Sequence, residues 1–356
     1  MNKRTMIIAE AGVNHNGSLE LAKELVRVAA QSGADAIKFQ TFKAQNLVTT
    51  SAEIADYQKK HSHAASQYEL LQNLELSQND HMTLIDLCRE EGIEFISTPF
   101  DSESLTFLVE RCGVSRIKLS SGDLTNGPLL MNVARSGLPV ILSTGMGTLG
   151  EIEDALSVLA YGYLHQQEPV SFQDIKECYR TDNGHSILKE MVTLLHCTTE
   201  YPTPFDEVNL QVINTLSQAF DLSTGFSDHT NGIAAATASV ALGVSVIEKH
   251  FTLDKNLPGP DHQASLEPQE LNQLVQSVRQ VEAAMGLKRK FPTRSESKNI
   301  PAARKSLVAA KPVRNGEVWT KDNLSTKRPG NGISPMKYWD IIGSQAEKDY
   351  QTDEIL

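Results

Sequence analysis

The segment GVSVIEKHFTLD, residues 243–254, is an apolar run that ends abruptly in glutamate, lysine and histidine. The run Val-Ser-Val-Ile is typical of a buried strand, whereas Glu248, Lys249 and His250 carry titratable side chains that an apolar environment disfavours. In a barrel of parallel strands, the functional site forms at the carboxyl ends of the strands, where polar side chains can meet. The segment therefore predicts a strand that contributes to a shared site, provided that other strands end in the same way.

Short apolar runs alternate with longer amphipathic stretches along the chain, which is the pattern of β–α units around a parallel sheet. The predicted strands are residues 5–9, 36–39, 94–97, 116–119, 139–142, 192–195, 222–226 and 245–248. The predicted helices are residues 18–34, 78–91, 102–111, 129–136, 149–160, 233–241 and 267–285. Such units over about 250 residues predict an α/β fold of the (β/α)₈ TIM-barrel type, with a doubly wound open sheet as the alternative.

The sequence predicts two domains and a linker. Residues 1–286 form the catalytic barrel, in which residues 161–184 lengthen the fifth crossover, and we expect them to be a surface excursion. Residues 287–303 lose apolar periodicity and gain charge and proline, which indicates a linker. Residues 304–356 contain short β-like pieces between turns and predict a small, mostly β domain.

The composition narrows the possible function classes. With 44 acidic and 33 basic residues the net charge is −11, which argues against a nucleic acid or an anionic membrane as the main partner. The cysteines at positions 88, 112, 178 and 197 form no C-x-x-C pair, so we expect reduced thiols rather than a zinc site or disulfides. Glu10 interrupts the first apolar stretch too early for a signal peptide or a membrane span, and we expect a cytoplasmic protein.

Polar residues follow or end every predicted strand. In chain order they are Glu10 with Asn14 and His15, Lys38 with Gln40, Thr98, Lys118 with Ser120, Ser121 and Asp123, Ser143 with Thr144, His196 with Thr198 and Thr199, Ser227 with Asp228 and His229, and Glu248 with Lys249 and His250. A single polar strand end is ordinary, since strands also end at solvent. The repetition on every strand indicates a common site at one mouth of the barrel.

Two lysines in this set indicate an anionic ligand. Lys38 and Lys118 each follow an apolar run, where an ammonium group is partly desolvated unless it meets a negative charge. Hydroxyl donors on other strands, Thr98, Ser121, Ser143 and Ser227, suit a phosphate or a carboxylate, and an enolpyruvate phosphate carries both. The alternative is a lysine that forms a Schiff base, as in aldolases.

Two histidines indicate a divalent metal. His229 and His250 follow neighbouring predicted strands, where two neutral imidazoles can share one cation whose remaining ligands are water or substrate oxygens. One histidine alone would more often be a hydrogen-bonded residue near the surface. Cys197 beside His196 could suggest a nucleophile, but neighbours along a strand point to opposite faces, so we expect a buried thiol without a catalytic role.

A glycine motif after the fifth strand is a weaker signal. Gly145, Gly147 and Gly150 fit G-x-G-x-x-G, the pattern of a dinucleotide site. The acidic residue that such a site requires at the end of a second strand is missing from the expected position. We therefore expect no dinucleotide site here.

Specific motifs along nearly the whole chain resemble the bacterial sialic acid synthase family, which includes N-acetylneuraminate, legionaminic acid and pseudaminic acid synthases. The motifs are IIAEAGVNHNG, IKFQTF, STPFD, KLSSGD, LSTGM, LLHCTTEYPTP, GFSDHT, EKHFTLD, GPDHQAS and KRPGNGI. The resemblance implies a (β/α)₈ barrel and an antifreeze-like (SAF) domain that reaches across a swapped homodimer to the partner's active site. It also implies condensation of phosphoenolpyruvate with an N-acetylmannosamine-type sugar, with manganese or magnesium as the divalent metal.

The resemblance also assigns roles to individual residues. Lys38, Thr98, Lys118, Ser121, Ser143, Thr199 and Ser227 correspond to phosphoenolpyruvate contacts, His229 and His250 to metal ligands, and Glu10 to a catalytic carboxylate acting with the two lysines. Gln40, Asp123, Tyr201, Asp261 and Arg328 correspond to contacts with the N-acyl amino sugar, the last from the other subunit. Asp123 replaces a glutamate and Thr199 an asparagine of N-acetylneuraminate members, so the sugar can differ.

Three alternatives remain at the level of sequence. A 3-deoxy-sugar phosphate synthase would need a further basic site for its phosphorylated aldose, whereas Gln40, Asp123, Tyr201 and Asp261 are neutral or acidic. A Schiff-base aldolase would use Lys38 or Lys118 without a metal. A non-enzymatic carbohydrate-binding protein, suggested by the antifreeze-like tail alone, would leave the barrel residues unexplained.

Overall fold

The computed structural model describes residues 4–50, 52 and 66–356. The chain forms two compact units, Met1–Gly286 and Leu287–Leu356. Among the described residues, no helix is both long and apolar enough to cross a membrane. All four cysteines are buried free thiols.

The first unit contains a sheet of eight strands in the order β3-β2-β1-β8-β7-β6-β5-β4, and its pairs are parallel. The strands are β1 (Met6–Gly12), β2 (Ala36–Thr41), β3 (Glu94–Pro99), β4 (Ile117–Leu119), β5 (Val140–Ser143), β6 (Val192–Cys197), β7 (Ser223–Asp228) and β8 (Val246–His250). Because β1 pairs with both β2 and β8, the first and last strands are neighbours. This confirms the barrel and excludes the doubly wound open sheet.

Helices connect these strands, and most begin at a side-chain cap. They are α1 (Leu19–Gln31), α2 (Ala44–Leu47), α3 (Gln67–Leu74), α4 (Gln78–Glu91), α5 (Ser102–Phe107), α6 (Gly127–Arg135), α7 (Leu149–Leu164), α8 (Phe172–Tyr179), α9 (Asp182–Met191), α10 (Val212–Phe220), α11 (Ala234–Ala241) and α12 (Pro268–Met285). A π-helical turn, Leu108–Cys112, continues α5. The Ser77 capping box starts α4, and Gly92, with φ of 69°, ends it.

Several strands extend further than their hydropathy predicted. β1 continues to Gly12, β6 to Cys197, β7 to Asp228 and β8 to His250. Backbone pairing continues beyond the apolar core, as between Glu10 of β1 and His250 of β8. The polar residues expected after the strands therefore lie largely on them, in the rigid part of the barrel.

The barrel interior is layered because strand side chains alternate between the two faces of the sheet. Six residues form a small apolar layer: Ile8, Ala36, Ile96, Ile141, Leu195 and Val246. Two positions further along the same strands come Glu10, Lys38, Thr98, Ser143, Cys197 and Glu248. The apolar layer therefore lies directly below the polar side chains at the carboxyl ends of the strands.

The excursion at residues 161–184 is helical rather than irregular. Helix α7 continues to Leu164, and α8 and α9 follow with side-chain caps at Ser171 and Thr181. Ile175 and Cys178 of α8 are buried. Its many polar residues hid the helical period, but the caps and the few apolar positions suffice for short helices packed on the barrel.

The second unit contains a two-stranded antiparallel sheet, β9 (Ser306–Ala309) and β10 (Leu324–Lys327), and the short helix α14 (Tyr338–Ile341). Its core consists of Leu307, Ala309, Val313, Trp319, Leu324 and Ala346. Helix α13 (Arg294–Ala303) covers most of the segment assigned to a linker, and its residues are exposed or half-buried. Few apolar contacts hold this helix, which is why hydropathy did not indicate it.

Substitution of Gly225 in β7 tests how tightly the barrel interior is packed. A Cβ at this position would lie 2.4 Å from Leu195 Cδ2 and 2.6 Å from the Val246 carbonyl oxygen. Gly225→Ala is expected to lower the free energy of unfolding by about 1–3 kcal/mol, the usual cost of overpacking. Chemical denaturation measures the change, with Gly127→Ala, where a Cβ meets open space, as the control. Equal stability of the Gly225 variant and the wild type would contradict this packing.

Candidate active site

A cavity of about 530 Å³ opens at the carboxyl ends of the barrel strands. It brings together most of the residues that the sequence singled out: Glu10, Lys38, Gln40, Thr98, Lys118, Ser121, Ser143, Thr199, Tyr201, Ser227, His229, His250 and Asp261. These residues come from all eight strands or the loops that follow them, with Thr199 and Tyr201 in the loop after β6, and Cys197 at the end of β6 lines the cavity as well. One shared mouth therefore collects the polar strand ends.

One predicted sugar contact of the first unit is not among the described residues that line the cavity. Asp123 is buried in the turn after β4, where its carboxylate accepts hydrogen bonds from Ser120 Oγ at 2.6 Å and Asn126 Nδ2 at 3.2 Å. Ser120 and Gly122 of this turn line the cavity in its place. Arg328 belongs to the second unit, where it is exposed and precedes a cis peptide bond to Pro329.

Lys38 and Lys118 point into the cavity and are almost fully buried. Lys38 Nζ lies 2.6 Å from Glu10 Oε2 and donates a hydrogen bond to Thr98 Oγ1 at 3.2 Å. Lys118 Nζ donates to Ser143 Oγ at 2.7 Å. Each lysine thus stands beside a hydroxyl from the next strand, a pairing that suits the oxygens of a phosphate or carboxylate.

Glu248 is the residue of this cluster to which the sequence analysis gave no role. Its carboxylate lies 3.5 Å from Lys118 Nζ and 3.9 Å from Lys38 Nζ, and it accepts a hydrogen bond from Ser227 Oγ at 2.9 Å. The period of two along β8 could have found it, because Glu248 shares a face with His250. Glu248 therefore links the two lysines electrostatically.

The two carboxyl groups differ in charge state. Burial raises the pKa of Glu10 to about 8, although the Lys38 ammonium opposes this shift, so Glu10 can hold a proton near neutral pH. Burial alone would also raise the pKa of Glu248, but Lys118 and Lys38 outweigh it and lower the value to about 2. Glu248 is therefore the permanently ionised group of the pair.

The lysines respond in opposite directions. Burial would lower the pKa of Lys38, but Glu10 and Glu248 outweigh burial and the net shift is upward. Burial lowers the pKa of Lys118, and Glu248 only partly compensates. An anion bound beside Lys118 would stabilise its ammonium form, so this end of the cavity favours a negatively charged ligand.

His229 and His250 stand side by side, with ring centroids 5.5 Å apart. His229 Nδ1 donates to the Thr198 carbonyl oxygen at 2.6 Å, which leaves Nε2 with its lone pair. Burial lowers the pKa of His229 to about 4, and it lowers the pKa of His250 well below the usual range. Both imidazoles are neutral and can therefore act as metal ligands.

Neighbouring groups complete the histidine site. His250 Nδ1 lies 3.9 Å from Asp261 Oδ2 and has no hydrogen-bond partner within the described parts of the chain. The Tyr201 ring lies 4.2 Å from the His229 ring and 5.7 Å from that of His250. In residues 4–50, 52 and 66–356 no three His, Cys, Asp or Glu side chains form a group that could hold a metal ion.

The alternation of β6 is opposite to the one expected. Cys197 lines the cavity, with Sγ 3.0 Å from Ser121 Oγ, whereas His196 faces away from it. His196 Nε2 bonds to the Val208 carbonyl oxygen at 2.6 Å and its ring stacks on Phe226. The rule of opposite faces is correct, but sequence alone did not show which residue points inward.

The remaining strand-end residues have structural contacts. Asn14 Nδ2 donates to the Phe251 carbonyl oxygen at 2.8 Å, and Thr144 Oγ1 donates to the Leu195 carbonyl oxygen at 2.9 Å. His15 Nδ1 accepts a hydrogen bond from Gly17 N at 3.0 Å. Close packing also explains a glycine of the motif after β5, since a Cβ at Gly147 would lie 2.3 Å from Leu124 Cδ2.

Known proteins are similar to this chain over most of its length. The NeuB family model matches residues 25–290 and the SAF domain model matches residues 304–356. The N,N'-diacetyllegionaminic acid synthase of Campylobacter jejuni is 50% identical over 355 residues, which are 99% of both chains. The enzyme of the same name from Legionella pneumophila is 45% identical and covers 98% of this chain and 92% of its own.

A solved structure is similar as well. The N-acetylneuraminic acid synthetase of Leptospira borgpetersenii has a TM-score of 0.67 and 33% sequence identity. The match covers 84% of this chain and 91% of that one. The likeness in three dimensions therefore extends over most of both proteins.

Proposed function

The chain belongs to the NeuB family, which confirms the resemblance seen in its motifs, and on that premise we propose that it condenses phosphoenolpyruvate with an N-acyl amino sugar. The products are a nine-carbon 2-keto sugar acid and inorganic phosphate. One observation carries the proposal: two buried lysines and two neutral histidines face the same cavity at the carboxyl ends of the strands. The lysines suit the anionic donor and the histidines a divalent cation.

The phosphoenolpyruvate site is proposed around the two lysines. Lys38 with Thr98 and Lys118 with Ser143 each present an ammonium group and a hydroxyl group to the cavity. Ser121, Thr199 and Ser227 line the same wall. Charge-assisted hydrogen bonds of this kind are about twice as strong as neutral ones, which favours a ligand with both a phosphate and a carboxylate.

The apolar part of the cavity lining supports an unphosphorylated and partly apolar acceptor. Apolar side chains line it: Val13, Leu47, Val48, Leu70, Leu71, Leu74 and Phe100. Among the described lining residues, the lysines and arginines are Lys38 and Lys118 alone, so a second phosphate would lack a basic partner there. Together with the synthase names of the two relatives, this favours 2,4-diacetamido-2,4,6-trideoxymannose over N-acetylmannosamine.

A divalent cation, Mn²⁺ or Mg²⁺, is proposed at His229 and His250. The fit is supported by their neutral imidazoles, by the Nε2 lone pair of His229, which faces Ser227 Oγ at 3.3 Å, and by the lack of a hydrogen-bond partner for His250 Nδ1 within the described residues. When bound, such a cation polarises the carbonyl of the open-chain sugar as a Lewis acid. Gln40, Tyr201 and Asp261 line the same cavity and are proposed to orient the sugar.

The chain's own groups handle charge and protons during the reaction. Carbon 3 of phosphoenolpyruvate bonds to the aldehyde carbon, water adds at carbon 2, and the C–O bond to phosphate then breaks. Lys38 and Lys118 offset the charge of the departing phosphate, and the ionised Glu248 holds the two ammonium groups in place. Glu10, with its raised pKa, is the proposed proton carrier.

The pH profile tests the role of Glu10. Its pKa of about 8 means that it is protonated below this value, so kcat is expected to fall as the pH rises through about 8. Glu10→Gln should lower kcat by about 10²–10⁴-fold, the usual contribution of a general acid, and remove that inflection. Ser143→Ala is the control, since it should weaken phosphoenolpyruvate use but retain the inflection. An unchanged profile in Glu10→Gln would exclude the assignment.

The function itself is tested by supplying phosphoenolpyruvate and Mn²⁺ with one sugar at a time. Phosphate release with 2,4-diacetamido-2,4,6-trideoxymannose, and a product mass equal to sugar plus pyruvate, is the expected result. If only N-acetylmannosamine supports phosphate release, the proposed acceptor is wrong but the proposed reaction stands. Phosphate release only with a phosphorylated aldose would indicate a 3-deoxy-sugar phosphate synthase. The absence of phosphate release with every sugar would overturn the proposal.

We also propose a homodimer in which Arg328 of the SAF domain contacts the sugar bound by the other copy. The match of residues 304–356 to the SAF domain supports this. Arg328→Ala is expected to raise the KM for the sugar by about 10-fold or more, as for a lost charge-assisted hydrogen bond, and to leave the KM for phosphoenolpyruvate unchanged. Arg314→Ala, at another exposed arginine of the same unit, is the control. A monomer in sedimentation, or equal sugar KM values, would contradict the proposal.

A reducing compartment is consistent with the thiols. All four cysteines are free and buried, as is usual for proteins kept in reducing surroundings. The expected cytoplasmic location therefore stays part of the proposal. Fractionation of the native host measures it.

A further inference from the structure

Asp228 and Lys249 form an ion pair on the face of the sheet that points away from the cavity. Lys249 Nζ lies 3.0 Å from Asp228 Oδ2, and the two side chains are 1% and 0% exposed. The residues are register partners in the pairing of β7 with β8. Because side chains alternate along β8, Lys249 points outward while Glu248 and His250 point into the cavity.

The pair holds the backbone of Thr230, the residue directly after His229. Asp228 Oδ1 accepts a hydrogen bond from Thr230 N at 2.8 Å. Lys249 Nζ donates one to the Thr230 carbonyl oxygen at 2.5 Å. Lys249 is also the residue directly before His250, so one ammonium group connects the backbone around the first histidine to the strand that carries the second.

His229 also contacts a different element. Its ring bonds to the Thr198 carbonyl oxygen at 2.6 Å, and its own carbonyl oxygen accepts a hydrogen bond from Thr203 N at 2.9 Å. Both partners belong to the loop after β6. The contacts with that loop hold the ring together with Ser227 Oγ, which lies 3.3 Å from its Nε2. The ion pair, in contrast, relates the backbone around His229 to β8 and hence to His250.

Folding stability alone does not explain why a charged pair is buried at this position. Removing two charges from water is costly, and replacing a buried ion pair by apolar residues is often neutral or stabilising. An apolar side chain, however, could not bind both the Asp228 carboxylate and the Thr230 carbonyl oxygen. The energetic cost is therefore better explained by the geometry that the pair imposes.

We propose that Asp228 and Lys249 are positioning residues that set the separation and orientation of His229 and His250 for a divalent cation. The inference rests on the metal site of the proposed function. Groups that orient metal ligands without touching the metal typically change metal affinity by about 10–100-fold when they are removed. Neither residue lines the cavity in the part of the chain that the structure describes, so a direct role in substrate binding does not compete with this one.

The test measures Mn²⁺ binding to the full chain by electron paramagnetic resonance, without substrates, so that the result does not depend on turnover. The variants are Lys249→Met and the double variant Asp228→Asn with Lys249→Met. Their Kd for Mn²⁺ is expected to rise by about 10–100-fold. If the single variant does not fold, the double variant decides, because it leaves no unpaired charge buried.

Arg279→Met is the matched control. Arg279 forms an ion pair with Asp35 at 2.7 Å, at the amino-terminal end of β2 and therefore at the opposite end of the barrel from the cavity. The Arg279→Met variant should have a lower melting temperature than the wild type but the same Kd for Mn²⁺. A folded double variant with wild-type Mn²⁺ affinity would overturn the inference, as would a wild type that binds no Mn²⁺. A wild type that binds Mn²⁺ but releases no phosphate would overturn only the proposed function.

Discussion

Alanine at His229 or His250 is expected to lower phosphate release by at least about 100-fold, the scale for loss of one group that stabilises a developing charge. Both rings face the cavity and are neutral, so each substitution removes a potential metal ligand rather than a core group. Steady-state rates at saturating Mn²⁺ measure the effect, and Mn²⁺ titration by electron paramagnetic resonance shows whether affinity is lost with it. Circular dichroism checks that each variant is folded.

His185→Ala is the matched control for these substitutions. His185 is an exposed residue of α9, and its loss should leave both rate and Mn²⁺ affinity unchanged. Wild-type rates in the His229 or His250 variant after exhaustive chelation would exclude a metal at this pair. Equal losses in all three variants would point to general destabilisation instead.

Methionine at Lys38 or Lys118 is expected to lower kcat/KM for phosphoenolpyruvate by about 10²–10³-fold, because each buried ammonium group offsets phosphate charge. Methionine keeps the length of the stem but removes an ammonium group beside the ionised Glu248, and at Lys38 it also removes the contact with the carboxyl group of Glu10. Loss of one partner of a buried pair costs about 3–5 kcal/mol of stability, so the assay should be run well below the melting temperature.

The same variants separate the metal route from a Schiff base. In a Schiff-base aldolase, borohydride would trap a substrate adduct on Lys38 or Lys118, and activity would survive EDTA. We expect neither result. Lys189→Met, which breaks an exposed ion pair with Asp221, is the control and should have wild-type kcat/KM. A variant at Lys38 or Lys118 with unchanged phosphoenolpyruvate kinetics would contradict the proposed anion site.

The fold could be predicted from sequence because its signals are local. Each strand is a short apolar run, each main helix has a period of 3.6 residues, and the number of units matches a barrel. Helices α8 and α9 escaped this reasoning because few of their residues are apolar. Their capping residues, Ser171 and Thr181, were the available signal.

The candidate site was predictable only in part. Runs such as the one ending at His250 predicted which residues reach the rim, since a change from apolar to polar is visible along the chain. Sequence did not show that Cys197 faces inward and His196 outward, or that Asp123 bonds within its own turn. It also gave no role to Glu248, because its two lysine partners are distant in sequence.

The sequence by itself therefore determined the strands, the barrel and the chemical types of side chain that gather at one rim. Only the tertiary structure decided which of these side chains meet, such as Glu248 between Lys38 and Lys118, or Lys249 against Asp228 behind the histidines. The physical reason is the separation along the chain over which each effect acts. Hydropathy and backbone preference act between near neighbours in the chain, whereas the charge state of a buried group depends on partners that only the closed barrel brings within a few ångströms.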